Sequence, residues 1–119
     1  MKTVAILLAA LALSGCSTIQ KYWPRAHDPV LVDAWVSVYM AVDAVRCSDA
    51  NTGWAAAREP SQRLYLLADF RKDPQADNLR GLRDHVARMS QGGSVVFCQI
   101  GVKTAQSRLA AARSAWEGR

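Results

Sequence analysis

The chain has 119 residues, half of them hydrophobic, and its fifteen Lys and Arg against ten Asp and Glu give a net charge of +5. That length suits one domain with a modest core and leaves no room for a second of similar size. With two histidines, three cysteines and no Cys-x-x-Cys or His-x-x-x-His spacing, the sequence argues against both a zinc site and a dithiol redox centre.

Met1-Lys2-Thr3 carries one positive charge and is followed by ten uninterrupted apolar residues, Val4 to Leu13. A helix needs roughly 20 residues to span a bilayer, so this run is too short for a membrane span and fits the apolar region of a secretory leader. Next comes Leu13-Ser14-Gly15-Cys16. This resembles the lipobox of bacterial lipoproteins, with Leu at −3, small residues at −2 and −1, and Cys at +1. The resemblance covers residues 1–16 only. It implies that the Cys16 thiolate accepts a diacylglyceryl group as a thioether, and that the leader is cut between Gly15 and Cys16. In many Gram-negative bacteria the new amino terminus is then acylated, commonly with palmitate. Small side chains at 14 and 15 let the extended chain enter the peptidase cleft. Ser17 stands where Asp is the residue associated with inner-membrane retention, so by that family rule the outer membrane, facing the periplasm, is favoured. The only cofactor expected is this covalent lipid.

With Cys16 lipidated, Cys47 and Cys98 remain in an oxidising compartment, where such pairs usually form disulfides; two buried thiols are the alternative. The charge is uneven. Residues 16–49 hold three basic and four acidic side chains, and residues 50–119 hold eleven and six. A basic C-terminal part can face anionic headgroups, lipopolysaccharide or an acidic partner, although a solvated Arg-rich surface accounts for it more simply. Nucleic acid is not expected as a partner of an exported lipoprotein.

Residues 16–28 read as a tether, in which Lys21-Tyr22-Trp23-Pro24-Arg25 sets two aromatics between cations, suited either to headgroup depth or to packing on the domain. The helical domain is expected over 29–119. Asp28-Pro29 is a helix start, an Asp cap before a proline whose missing N–H costs nothing at the first position. The first helix should run to about residue 47. Leu31, Trp35, Val38, Val42 and Val45 form its stripe, and Val32, Val36 and Tyr39 broaden it, leaving a narrow polar strip at Asp33, Ser37, Met40 and Ala44. A helix this apolar is either central in its fold or partly covered by a partner. Val32, Val36, Tyr39 and Met40 are therefore the candidate interaction surface.

Residues 47–53 read as a loop and 54–58 as one or two helical turns. Pro60 then starts or kinks a second helix, about 60–71, with Leu64, Leu67 and Ala68 on its face and Tyr65 and Phe70 flanking it. Asp73-Pro74 repeats the start signal for a helix over about 74–91. There Leu79, Leu82, Val86 and Met89 make one stripe, and Arg80–Asp84 and Asp84–Arg88 are i,i+4 pairs. Gly92-Gly93 breaks the chain, and Ser94 can cap a helix over about 95–117. Its stripe is Val95, Cys98, Val102, Ala105, Leu109, Ala112 and Trp116. The apolar run 95–100 also permits a strand, but the helical stripe passes through it unbroken, and Gly101 then allows close helix contact.

Four helices joined by short loops predict an all-α, up-and-down bundle behind the tether. In that topology the first and last helices are antiparallel neighbours, which brings Cys47 beside Cys98. No catalytic set assembles. His85 adjoins Asp84, but neighbours along a helix point apart, and His85 is expected at an edge or on the surface. His27 only precedes the Asp28 cap. Asp33 and Asp43 read as solvated, and the tryptophans at 35, 54 and 116 as core. The function expected is a non-enzymatic interaction or structural module with an envelope protein as partner, resembling in size small exclusion lipoproteins or assembly accessories. The alternative is a periplasmic enzyme or ligand carrier with a pocket among Trp35, Tyr39, Trp54 and Trp116.

Overall fold

The computed structural model describes residues 28–48 and 51–118. The leader, the lipobox Leu13-Ser14-Gly15-Cys16, the aromatic tether and His27 lie outside them. The described residues form four helices and no strand: α1 (Pro29–Asp43), α2 (Trp54–Phe70), α3 (Ala76–Met89) and α4 (Val95–Glu117). Each packs on the next, and α4 returns to pack on α1. One end of this bundle therefore holds the start of α1, the α2–α3 turn and the end of α4. The other holds the end of α1, the start of α2 and the α3–α4 turn. Among the described residues, no helix is long and apolar enough to cross a membrane.

Local chemistry explains where most of the helices begin. The Asp28 carboxylate accepts from the Val30 and Leu31 amides at 3.1 and 3.3 Å, and Pro29 occupies the first turn. Ser94 Oγ accepts from the Phe97 amide at 3.1 Å and starts α4 as a helix rather than a strand. Ser94→Ala removes that bond and should cost about 1 kcal/mol, measurable as a lower urea midpoint at constant slope. Asp73 acts two residues early: its carboxylate takes the Gln75 amide at 2.8 Å, a turn intervenes, and α3 begins at Ala76.

Two boundaries differ from the sequence expectation. Helix α1 stops at Asp43, four residues short. Arg46 instead exchanges both backbone hydrogen bonds with Thr52, at 2.9 and 3.1 Å, in an isolated antiparallel bridge. This extended segment still buries Val45 and carries Cys47 to α4. Gly53 follows at φ +110°, a left-handed conformation, and a Cβ there would meet the Val45 backbone at 3.0 Å. Pro60, by contrast, neither starts nor ends a helix; α2 runs through it from Trp54. The carbonyl that it cannot reach belongs to Ala56, an exposed residue.

The core takes Leu31, Ala34, Val38 and Val42 from α1, and Trp54, Ala57, Leu64 and Ala68 from α2. Leu79, Leu82, Val86 and Met89 from α3 meet Cys98, Ala105, Leu109, Ala112 and Trp116 from α4. The α4 stripe is displaced by one residue at its centre, where Gly101 is buried and Val102 is only half-buried. A Cβ on Gly101 would collide with the Met89 side chain, so glycine here lets α3 and α4 approach closely.

The surface pairs of α3 also differ from the i,i+4 reading. Arg80 meets Asp77 at 3.4 Å and Arg83 meets Asp84 at 2.9 Å. The reason is Tyr65 on α2: its ring draws the Arg83 guanidinium to 4.5 Å and that of Arg80 to 5.6 Å from its centroid. Its hydroxyl and Asp77 hold the Arg80 pKa above the ordinary guanidinium value.

Candidate interaction surface

The outer face of α1 carries Val32, Val36, Tyr39 and Met40, all exposed, with Met40 at 65%. They are outside because α1 has two neighbours. Residues 31, 34, 38 and 42 face α2 and α4, which leaves the broad remainder of the helix uncovered. Trp35 sits at the edge of this face, half-buried. Its indole N–H donates to the Leu109 carbonyl of α4 at 2.9 Å, and its ring stacks on Tyr39 with centroids 5.2 Å apart and planes 12° from parallel. The exposed tyrosine is thus held against a ring that is itself pinned to α4.

Between α1 and α4 runs a groove of about 310 Å³ lined by Val32, Trp35, Val36, Arg113, Trp116 and Glu117. The Arg113 guanidinium lies 5.9 Å from the Trp35 ring centroid and donates to Glu117 at 2.7 Å. The hydrogen bond and charge of Glu117 push the Arg113 pKa upward. The Trp116 indole closes the groove floor and donates to the Asp73 carboxylate at 3.2 Å. Two of the four aromatics proposed for a ligand pocket therefore line one groove. Trp54 lies elsewhere, wholly buried near the opposite end, edge-on to His85 with centroids 6.0 Å apart.

His85 is not at the surface. It is 8% exposed, and its Nε2 is 2.8 Å from the Gly101 carbonyl oxygen. A carbonyl only accepts, so Nε2 carries the proton and donates. The ring ties α3 to α4 where Gly101 brings them together, a structural task. Arg108 is similarly engaged: it reaches the Asn78 side-chain oxygen at 3.2 Å, while Asn78 donates back to the Arg108 carbonyl at 2.9 Å. Among the described residues no group of three His, Cys, Asp or Glu side chains is placed to hold a metal.

Cys47 and Cys98 lie at disulfide distance, with Cα atoms 5.6 Å apart. Around them Trp54 Nε1 donates to Cys98 Sγ at 3.4 Å, and the Asn51 amide donates to the Gly93 carbonyl at 2.6 Å. Here α1, α2 and the α3–α4 turn converge.

Two exposed apolar groups escaped the sequence reading. Val96, Phe97 and Ile100 project from the first turns of α4, and Leu66 and Phe70 from the last turns of α2. A signal existed for the first group: Val96 and Ile100 are apolar, four residues apart, and off the buried stripe. Comparison with protein-family models, with curated proteins and with solved structures finds no match to this chain.

Proposed function

We propose that this chain is a cell-envelope lipoprotein, anchored through acylated Cys16, whose helical domain acts by surface contact rather than by catalysis. Its partner is then a protein of the envelope, met in an exclusion-like or assembly role. The observation that carries this reading is the outer face of α1. Val32, Val36, Tyr39 and Met40 form a continuous apolar area on a helix whose other side is already packed. The largest exposed apolar patch on a small monomer is often a functional one. The stacked Trp35–Tyr39 pair gives such a face a rigid aromatic anchor, a residue type favoured at energetic centres of interfaces.

A photocrosslinking amino acid at Met40 should capture a discrete partner in intact cells, and the same probe at exposed Gln106 should not. Val36→Asp should reduce that capture by about tenfold or more, the effect of losing one central contact, with an unchanged circular dichroism spectrum. Unfolding by Val36→Asp would make the position core; capture undiminished in a folded variant would move the surface off α1.

The α1–α4 groove supports a second reading, a carrier of a small ligand. At about 310 Å³ it is at the lower limit for such sites, and its cation is already paired with Glu117. The interaction reading is therefore preferred.

A further inference from the structure

We propose that the end of the bundle bearing the α2–α3 turn rests on the bilayer, with the Phe70 ring in the lipid interface. This inference depends on the lipid anchor proposed above. The first support is where the tether leaves the domain. The described chain begins at Asp28, whose carboxylate is ion-paired with Arg71. The segment leading back to Cys16 thus departs beside the α2–α3 turn. Residues 17–28 extend to at most about 40 Å. Helix α4, with 23 residues, is about 35 Å long. The point of attachment is thus at the turn end, about a helix length from the Cys47–Cys98 end, which favours the turn end nearer the membrane.

The second support is the side chain found there. Phe70 is 87% exposed, more than any other large apolar residue described, and Leu66 stands one turn before it on α2, half exposed. The two make a short apolar strip ending at the tip. Charge sets the kind of lipid. Arg71, Lys72 and Arg113 stand near this end with Asp69, Asp73, Asp77 and Glu117; Arg71 is paired with Asp28 and Arg113 with Glu117. Among the described residues this end has no cationic surplus, so burial of the ring drives docking and a zwitterionic bilayer suffices. One aromatic side chain binds a membrane weakly from solution. The anchor makes the encounter intramolecular, at an effective concentration where a weak contact is populated.

The experiment uses the mature chain, 16–119, with Cys16 coupled chemically to a maleimide lipid while Cys47 and Cys98 remain oxidised. The lipidated protein is placed on phosphatidylcholine nanodiscs doped with a gadolinium-chelating lipid, and relaxation enhancement is read at each backbone amide by NMR. Enhancement should be greatest at residues 69–72 and least at 90–97. Phe70→Asp should lower the docked fraction by about tenfold and reduce the enhancement at 69–72 to the shallower gradient that the tether alone gives, with the remaining spectrum unchanged because the ring is almost wholly exposed. Phe70→Trp should preserve the enhancement. Uniform enhancement in the unsubstituted protein overturns the proposal, and so does a maximum at 96–100, which would put the Val96, Phe97 and Ile100 cluster on the membrane instead. Because the lipid is attached chemically, failure of cellular acylation at Cys16 is a separate result, read by palmitate labelling.

Discussion

Cys16→Ser should abolish incorporation of labelled palmitate and move the protein from the membrane fraction to the soluble one. The effect is expected to be nearly complete. A serine hydroxyl lacks the thiolate that forms the thioether, so no diacylglyceryl group is added. Each buried CH₂ contributes about 0.8 kcal/mol, so two or three acyl chains hold a protein where one chain is marginal. No described helix offers an alternative span, and a single Phe at the α2–α3 turn cannot replace an anchor. Continued palmitate labelling and membrane fractionation of Cys16→Ser would overturn the lipoprotein assignment. The domain should be unaffected in itself, since the packed residues begin at Leu31. Its far-ultraviolet circular dichroism and thermal midpoint should match those of the parent.

The second large effect is expected at the Cys47–Cys98 pair. A bridge here closes a sequence separation of 51 residues, and the Cα distance of 5.6 Å lies within the range a disulfide requires. A cross-link over such a loop stabilises by about 2–4 kcal/mol. At about 4–8 °C per kcal/mol for a domain of this size, reduction should lower the midpoint by roughly 10 °C or more. Cys47→Ala with Cys98→Ala should cost more than reduction does. Reduced Cys98 still presents a sulfur to the Trp54 indole, whereas alanine leaves that buried N–H without its acceptor, at a cost of about 1–3 kcal/mol. Mass spectrometry of the non-reduced mature protein should show the two cysteine peptides linked. Free thiols at both positions in protein taken from the periplasmic face would contradict the oxidised state. Equal midpoints for the reduced protein and the double alanine variant would remove the role given to Trp54.

The proposed anchor, the bridge and the proposed contact face involve different residues and can fail independently. The anchor proposal rests on Cys16 and its three preceding residues, which lie outside the described structure. Bridging rests on the convergence of α1, α2 and α4 at one end of the bundle. The proposed contact with a partner rests on the outer face of α1. The buried histidine bears on the last of these. With His85 donating to the Gly101 carbonyl and covered by Trp54, it is bound into the helix packing. The groove between α1 and α4 is lined by tryptophan, valine and one ion pair.

Much of the candidate surface is legible in the sequence. Val32, Val36, Tyr39 and Met40 stand out because α1 has more apolar positions than two neighbouring helices can cover. Phe70 and the Val96, Phe97 and Ile100 group are not legible in that way. Phe70 flanks the α2 stripe on a helical wheel and looks half-buried; only the position of α3 leaves it in water. Tyr65 flanks the same stripe and meets the opposite fate, covered by Arg83 and Arg80 from α3.

Local chemistry is enough to set the number of helices, the caps at Asp28 and Ser94 and most of the buried faces of α3 and α4. Capping joins a side chain to amides two or three residues away, and a 3.6-residue period is written along a single segment, so neither needs a distant partner. The pairing of helices, and with it the approach of Cys47 to Cys98, also follows from the chain, because short loops force antiparallel neighbours. Long-range packing is what ends α1, since the Arg46–Thr52 bridge and the Cys98 contact outweigh the helix that the valines of 42–45 would have continued. The same holds for Pro60, which sits inside α2 because packing along the whole of that helix offsets one missing hydrogen bond. Packing also buries His85: a ring that follows the charged Arg83 and Asp84 in sequence becomes interior when Gly101, sixteen residues away, offers the carbonyl that its proton needs.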